Sequence, residues 1–123
     1  MLLKDFYKIQ SLIKTDDQKY LVTVLINENH EVFEGHFPGN PVMPGVCMMQ
    51  IIKELSEQIT ESSLLMHSIS NVKFMALINP FVTPELRLEL EIIYAENQLI
   101  KVKNTTYFNN TVALKLGSVY KIK

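Results

Sequence analysis

One stretch of this chain, Val46 to about Glu61, carries helical apolar spacing, and the stripe is wide. Val46, Met49, Ile52 and Ile59 recur at helical intervals, while Met48, Ile51 and Leu55 broaden the face beyond what one flat contact can cover. A helix of this kind has to be buried on several sides. Lys53, Glu57 and Glu61 form its solvated edge. Whatever covers it must come from the remainder of the chain, and the remainder reads mainly as strand. The expectation is an α+β domain in which one long helix, the longest of the protein, lies under an antiparallel sheet.

The strand signals are clearest after residue 85. Leu86 to Ile92 alternates strictly, with Leu86, Leu88, Leu90 and Ile92 on one face and Arg87, Glu89 and Glu91 on the other. A turn at Glu96-Asn97-Gln98 leads to Leu99–Phe108, where Ile100 and Val102 alternate with Lys101 and Lys103, and Asn109-Asn110 turns the chain into Thr111–Ile122. These three strands form a meander. Earlier, Tyr20–Ile26 is rich in β-branched and aromatic residues and reads as a strand. Ile69–Ile78 is a further apolar run, closed by the turn signals Asn79-Pro80 and Thr83-Pro84. Near the start, Phe6, Ile9, Leu12 and Ile13 fit a short helix or a half-buried strand equally well.

The 123 residues suffice for a single domain, 1–123, with one core. A formal net charge of -1, with 12 Lys plus Arg against 13 Asp plus Glu, gives no basic surplus for nucleic acid or an anionic membrane. The first residues lack the pattern of a signal peptide, and no apolar run reaches the length of a membrane span. A single cysteine, Cys47, excludes an internal disulfide and fits a reducing cytoplasm. Its place between Val46 and Met48 reads as a small core residue rather than a nucleophile. His30, His36 and His67 have no metal-site spacing, so no metal is expected.

Ahead of the helix runs GHFPGNPVMPGVCMMQ, Gly35 to Gln50, with three prolines and three of the chain's four glycines. Neither a regular strand nor a helix interior accommodates that composition, so the run is a shaped loop that enters the helix at Pro44-Gly45-Val46. The unsatisfied N–H groups of a helix start suit a polarised carbonyl or an oxyanion. His36 in the same loop is the side chain best suited to act as a base at neutral pH. His30 and His67 read as solvated or capping residues. Met43, Met48 and Met49 read as core filler that would also suit a tunnel for varied chains.

The run HFPGNPVMPGV, with Val32-Phe33-Glu34-Gly35 before it, resembles the signature of the β-hydroxyacyl-acyl carrier protein dehydratases. The resemblance extends through Asn71-Val72-Lys73-Phe74, whereas the family's usual N-terminal His-Arg-Tyr-Pro-Phe segment has no counterpart. It implies the hot-dog fold, a curled antiparallel sheet wrapped around one central helix, and a site shared between two subunits. By resemblance, His36 removes the α-proton of a 3-hydroxyacyl thioester, the N–H of Gly45 binds the thioester oxygen, and Phe37, Val42 and Val46 line the acyl tunnel. The family carries Glu or Asp as general acid fourteen residues after the histidine, and this chain has Gln50 there. An amide donates hydrogen bonds but yields no proton at neutral pH. Glu54, one helical turn on, stands where the family commonly has Gln, so the two residue types look exchanged. Away from that comparison a helical Glu reads as a surface or capping charge.

The implied function is dehydration of 3-hydroxyacyl thioesters on acyl carrier protein, or of coenzyme A thioesters, to the trans-2-enoyl form by a homodimer or a heterodimer with a related chain, a reaction for which the resemblance implies no cofactor. Two other readings stand beside it: a non-catalytic acyl-binding or partner subunit, and a hot-dog thioesterase, against which the amide of Gln50 argues.

Overall fold

The computed structural model describes residues 5–34 and 42–123. Among the described residues are six strands and one long helix. In chain order these are β1 (Tyr7–Asp16), β2 (Lys19–Ile26), α1 (Gly45–Thr60), β3 (Leu64–Phe74), β4 (Glu85–Tyr94), β5 (Leu99–Phe108) and β6 (Thr111–Ile122), with a 3-10 turn at Glu31–Phe33 before the helix. The strands form one sheet in the order β1-β2-β4-β5-β6-β3, and every neighbouring pair is antiparallel.

That order dictates where the helix goes. The chain leaves the sheet at its second strand, β2, and re-enters at its last, β3, a gap of four strand spacings or about 19 Å. A helix of 16 residues is about 24 Å long. It therefore bridges the sheet in one pass, and the sheet curls over it in the expected hot-dog arrangement. Cys47, Met48, Ile51, Ile52, Leu55 and Ser56 are the buried positions of α1. They meet the inward faces of the strands, of which Leu86, Leu88, Leu90 and Ile92 of β4 are at most 2% exposed. Farther along β5 the inward positions turn polar. There Asn104 Nδ2 donates to the Glu89 carbonyl and Thr106 Oγ1 to Asn104 Oδ1, so these buried groups are paired.

The meander falls where its alternation predicts, with β5 and β6 covering the expected residues. The ambiguous N-terminal segment is a strand, and a bulge explains the ambiguity. Tyr7, Ile9 and Leu12 pair with Ile26, Val24 and Val22, all inward, because a register shift between Ile9 and Ser11 inserts one residue. The apolar run Ile69–Ile78 does not coincide with one element: its first part belongs to the strand Leu64–Phe74, and Met75 to Ile78 lie beyond it. β3 starts directly after the helix exit, where Glu57 Oε2 accepts the N–H of Leu64 at 2.9 Å. Glu57 is thus an anchor for the strand as well as part of the helix's solvated edge.

Two further shifts interrupt β3, between Met66 and Ser68 and between Ile69 and Asn71, so both edge strands of the sheet are irregular. Met66, Ile69, Val72 and Phe74 pair with Tyr120, Ser118, Leu116 and Leu114 of β6. The β6 residues are buried, yet their β3 partners are 37–58% exposed. No helix among the described residues is long and apolar enough to cross a membrane.

Candidate active site

The helix start is built by close approach. Pro44 occupies the cap position with extended backbone, and its carbonyl accepts the N–H groups of Cys47 and Met48 at 3.1 and 3.3 Å. The N–H groups of Gly45 and Val46 have no partner among the described residues. Glycine at 45 lets the ring come close: a Cβ there would lie 2.7 Å from Cζ of Phe74, so a larger residue would have to displace that exposed ring. The β3 terminus thus presses an aromatic ring onto the first residue of the helix. Met43 N–H donates to the Ile78 carbonyl at 2.8 Å and ties the segment before the helix to the segment after β3.

Between these segments lies a cavity of about 440 Å³ with an apolar lining that includes Met43, Gly45, Met48, Phe74, Leu77 and Leu114. Gly45, whose N–H has no partner among the described residues, and the apolar side chains around it suit a ligand with a polarisable carbonyl and a hydrocarbon portion. A cleft of about 460 Å³ lined by Asp5, Tyr7, Lys8, Asn27, Glu28 and Pro84, among others, borders no residue of the helix and lacks those features. Val42 is half-buried, whereas Val46 is 73% exposed in the single chain. His36 and Phe37 lie outside the described residues.

Gln50 and Glu54 are brought together. Gln50 Nε2 donates to Glu54 Oε2 at 2.8 Å, the i to i+4 contact expected on one helix face. The other carboxylate oxygen accepts from the hydroxyl of Tyr7 at 2.8 Å. Burial, and after it this hydrogen bond to Glu54, pushes the Tyr7 phenol well above its ordinary pKa, so it stays a donor. Tyr7 is the residue that sequence reasoning missed. Its only signal was an aromatic ring in a segment whose periodicity the bulge obscures.

The remaining candidates settle into structural roles. Cys47 is buried, and desolvation raises its thiol pKa, opposite to what a nucleophile needs. His30 caps the 3-10 turn through Nδ1, which accepts the Val32 N–H at 3.1 Å, and His67 is exposed on β3.

One curled sheet around one helix, with an apolar cavity at the helix start, defines a hot-dog protein. Solved structures of that fold agree. The Dehydratase Heterocomplex ApeI:P from Xenorhabdus doucetiae matches with a TM-score of 0.72 at 17% identity, over 93% of this chain and 96% of that one. A hypothetical thioesterase with coenzyme A from Streptococcus pneumoniae matches with a TM-score of 0.67 at 11% identity, over 95% and 85%. Sequence comparison is narrower. The family model of the ApeI dehydratase matches residues 12–113, and this chain belongs to that ApeI-like family. It is also 31% identical over 121 residues to the 3-hydroxyacyl-[acyl-carrier-protein] dehydratase FabZ of Legionella pneumophila, covering 88% of this chain and 78% of the relative. A FabZ of Hydrogenobaculum is 32% identical over 96 residues, 71% of this chain and 64% of the relative.

Proposed function

We propose that this protein dehydrates 3-hydroxyacyl thioesters carried on acyl carrier protein to trans-2-enoyl thioesters, in the cytoplasm, for fatty-acid or related lipid synthesis. The observation that carries the reading is the apolar cavity bordered by Gly45, whose N–H has no partner among the described residues, in a chain 31% identical to 3-hydroxyacyl-[acyl-carrier-protein] dehydratases. In this reading His36 takes the proton from carbon 2, and the N–H of Gly45 stabilises the negative charge that develops on the thioester oxygen. Phe37, Val42 and Val46 contact the acyl chain, and position 50 faces carbon 3. The C3–O bond breaks as the double bond forms, and the hydroxyl leaves as water once it receives a proton.

Gln50 has no such proton to give, and Glu54 is engaged at both oxygens. A partner subunit that carries a carboxylic acid at the matching position completes the site. Such a partner suits the uncovered β3 stripe of Met66, Ile69, Val72 and Phe74. It is in keeping with the heterocomplex reported for the Xenorhabdus protein. The structure of Gln50 also favours a second reading, in which this chain is the non-catalytic, acyl-binding member of a heteromer. The likeness to the thioesterase extends to fold alone.

Co-expression with an acid-bearing relative decides between them. Enoyl formation, followed by mass spectrometry of the thioester, is expected to be slow with this chain alone and faster in the mixed assembly. His36→Ala in this chain should remove at least about 10²-fold of the gain. A mixed assembly that keeps its full rate with His36→Ala assigns the chemistry to the partner's histidine and this chain to binding. If neither assembly forms the enoyl product, the dehydratase reading fails.

A further inference from the structure

Three side chains from two elements form a polar chain: the Tyr7 hydroxyl donates to Glu54 Oε1, and Gln50 Nε2 donates to Glu54 Oε2, both at 2.8 Å. Tyr7 is the first residue of β1, and the other two stand one turn apart on α1. A carboxylate offers acceptors only. The amide of Gln50 therefore has to turn its NH2 group towards Glu54, and its carbonyl oxygen faces away. No donor to that oxygen is found among the described residues. Rotating the amide by half a turn would set two acceptors against each other, so Glu54 locks the orientation. Tyr7 in turn holds Glu54 from the sheet side and keeps the carboxylate from swinging out to water.

A free glutamine serves as donor or acceptor by flipping its amide. This one is denied that choice. We propose that Tyr7 and Glu54 are positioning residues that fix Gln50 as a hydrogen-bond acceptor, so that the site selects a 3-hydroxyacyl thioester over its 3-oxoacyl counterpart. The proposal rests on the reading above, in which position 50 faces carbon 3 of the substrate. A 3-hydroxyl donates into Gln50 Oε1, whereas a 3-oxo group brings a second acceptor to the same point and leaves both without a partner. Selection at this step keeps the oxidised precursor of the substrate, the 3-oxoacyl thioester, from occupying the site. Gln50 holds the hydroxyl without protonating it, so the site that contains Gln50 recognises the hydroxyl, while proton donation belongs to the site that contains the partner's acid.

The test is binding of two non-hydrolysable thioether analogues of acyl pantetheine, equal in length, one bearing a 3-hydroxyl and one a 3-oxo group. Calorimetry on the native protein should give the hydroxyl form about 2- to 12-fold tighter, the range of one net hydrogen bond. Glu54→Met frees the amide to rotate, so the preference should vanish or invert through a gain in 3-oxo affinity. A merely structural loss would weaken both analogues alike. Gln50→Met should abolish the preference by itself, and adding Glu54→Met to it should change the ratio no further, because Glu54 acts through Gln50. Tyr7→Phe keeps the ring and deletes one oxygen. It should lower the preference partway, and it provides the test if Glu54→Met does not fold. Native protein that binds both analogues equally, or a Glu54→Met or Tyr7→Phe variant that keeps the full native preference, overturns the proposal while leaving the acyl-thioester reading in place. Native protein that binds neither analogue overturns both.

Discussion

β4 and β3 are both strands of ten or so residues with apolar side chains turned inward, and they end up in opposite circumstances. The four inward residues of β4 are at most 2% exposed, whereas Met66, Ile69, Val72 and Phe74 of β3 are 37–58% exposed. The difference lies in position rather than composition. β4 is an inner strand, flanked by β2 and β5, while β3 closes the sheet with only β6 beside it. The helix covers the middle of the sheet and leaves the β3 edge bare. A strand that is apolar on an uncovered side, with one row of backbone groups unpaired, is an interface in waiting. This chain completes its core at β4 and leaves apolar surface uncovered at β3.

The contrast is sharpest in truncation. Leu88→Ala should cost about 2–5 kcal/mol in urea unfolding, because nothing can collapse into the space left under the helix. Ile69→Ala, measured on the dissociated chain, should cost less than about 1 kcal/mol. Equal costs would erase the distinction between the two strands. A charge at the β3 stripe probes the other half of the argument. Ile69→Lys should weaken self- or partner association at least about tenfold, or about 1.4 kcal/mol, in sedimentation velocity, with the far-ultraviolet spectrum unchanged. An assembly that ignores the lysine would place the interface elsewhere.

The smallest effects concern backbone alone. Glu61, on the way into β3, and Gln98, in the turn after β4, both adopt left-handed backbone with φ of 52° and 62°. Glu61→Gly and Gln98→Gly should each raise stability by about 0.5–1 kcal/mol, because glycine takes that conformation without a Cβ clash. Similar gains at the two sites would show that the strands differ in side-chain cover and not in how the chain reaches them. A loss at either site would point to side-chain contacts that outweigh the backbone relief.

The inner strands were legible in the sequence because an unbroken ladder keeps the side-chain period at two, as in Leu86, Leu88, Leu90 and Ile92. The edges were not. In β1 the inward residues are Tyr7, Ile9 and Leu12, and in β3 they are Met66, Ile69, Val72 and Phe74. Each bulge adds one residue, so the spacing drifts towards three and imitates a helix. The site was partly legible for a different reason. Composition announces a shaped loop ahead of the helix, of which residues 35–41 lie outside the described residues, and the i to i+4 pairing of Gln50 with Glu54 follows from helical geometry. Tyr7 reaches that pair from 47 residues away along the chain, a separation that no local pattern encodes. Phe74 lies over Gly45 by the same kind of long-range approach.

The irregular pairing at both margins has a further consequence for how many chains can gather. A straight, apolar margin is a template that any identical strand can extend, and each added strand offers a fresh margin for the next. Where a margin is kinked twice, as β3 is, the local twist rises and a newcomer has to match that particular curvature. The opposite margin is kinked at different points, after Ile9 and after Lys14, so a head-to-tail pairing would have to reconcile two different sets of kinks. Association at β3 is therefore expected to stop at a closed pair and not to grow into a filament.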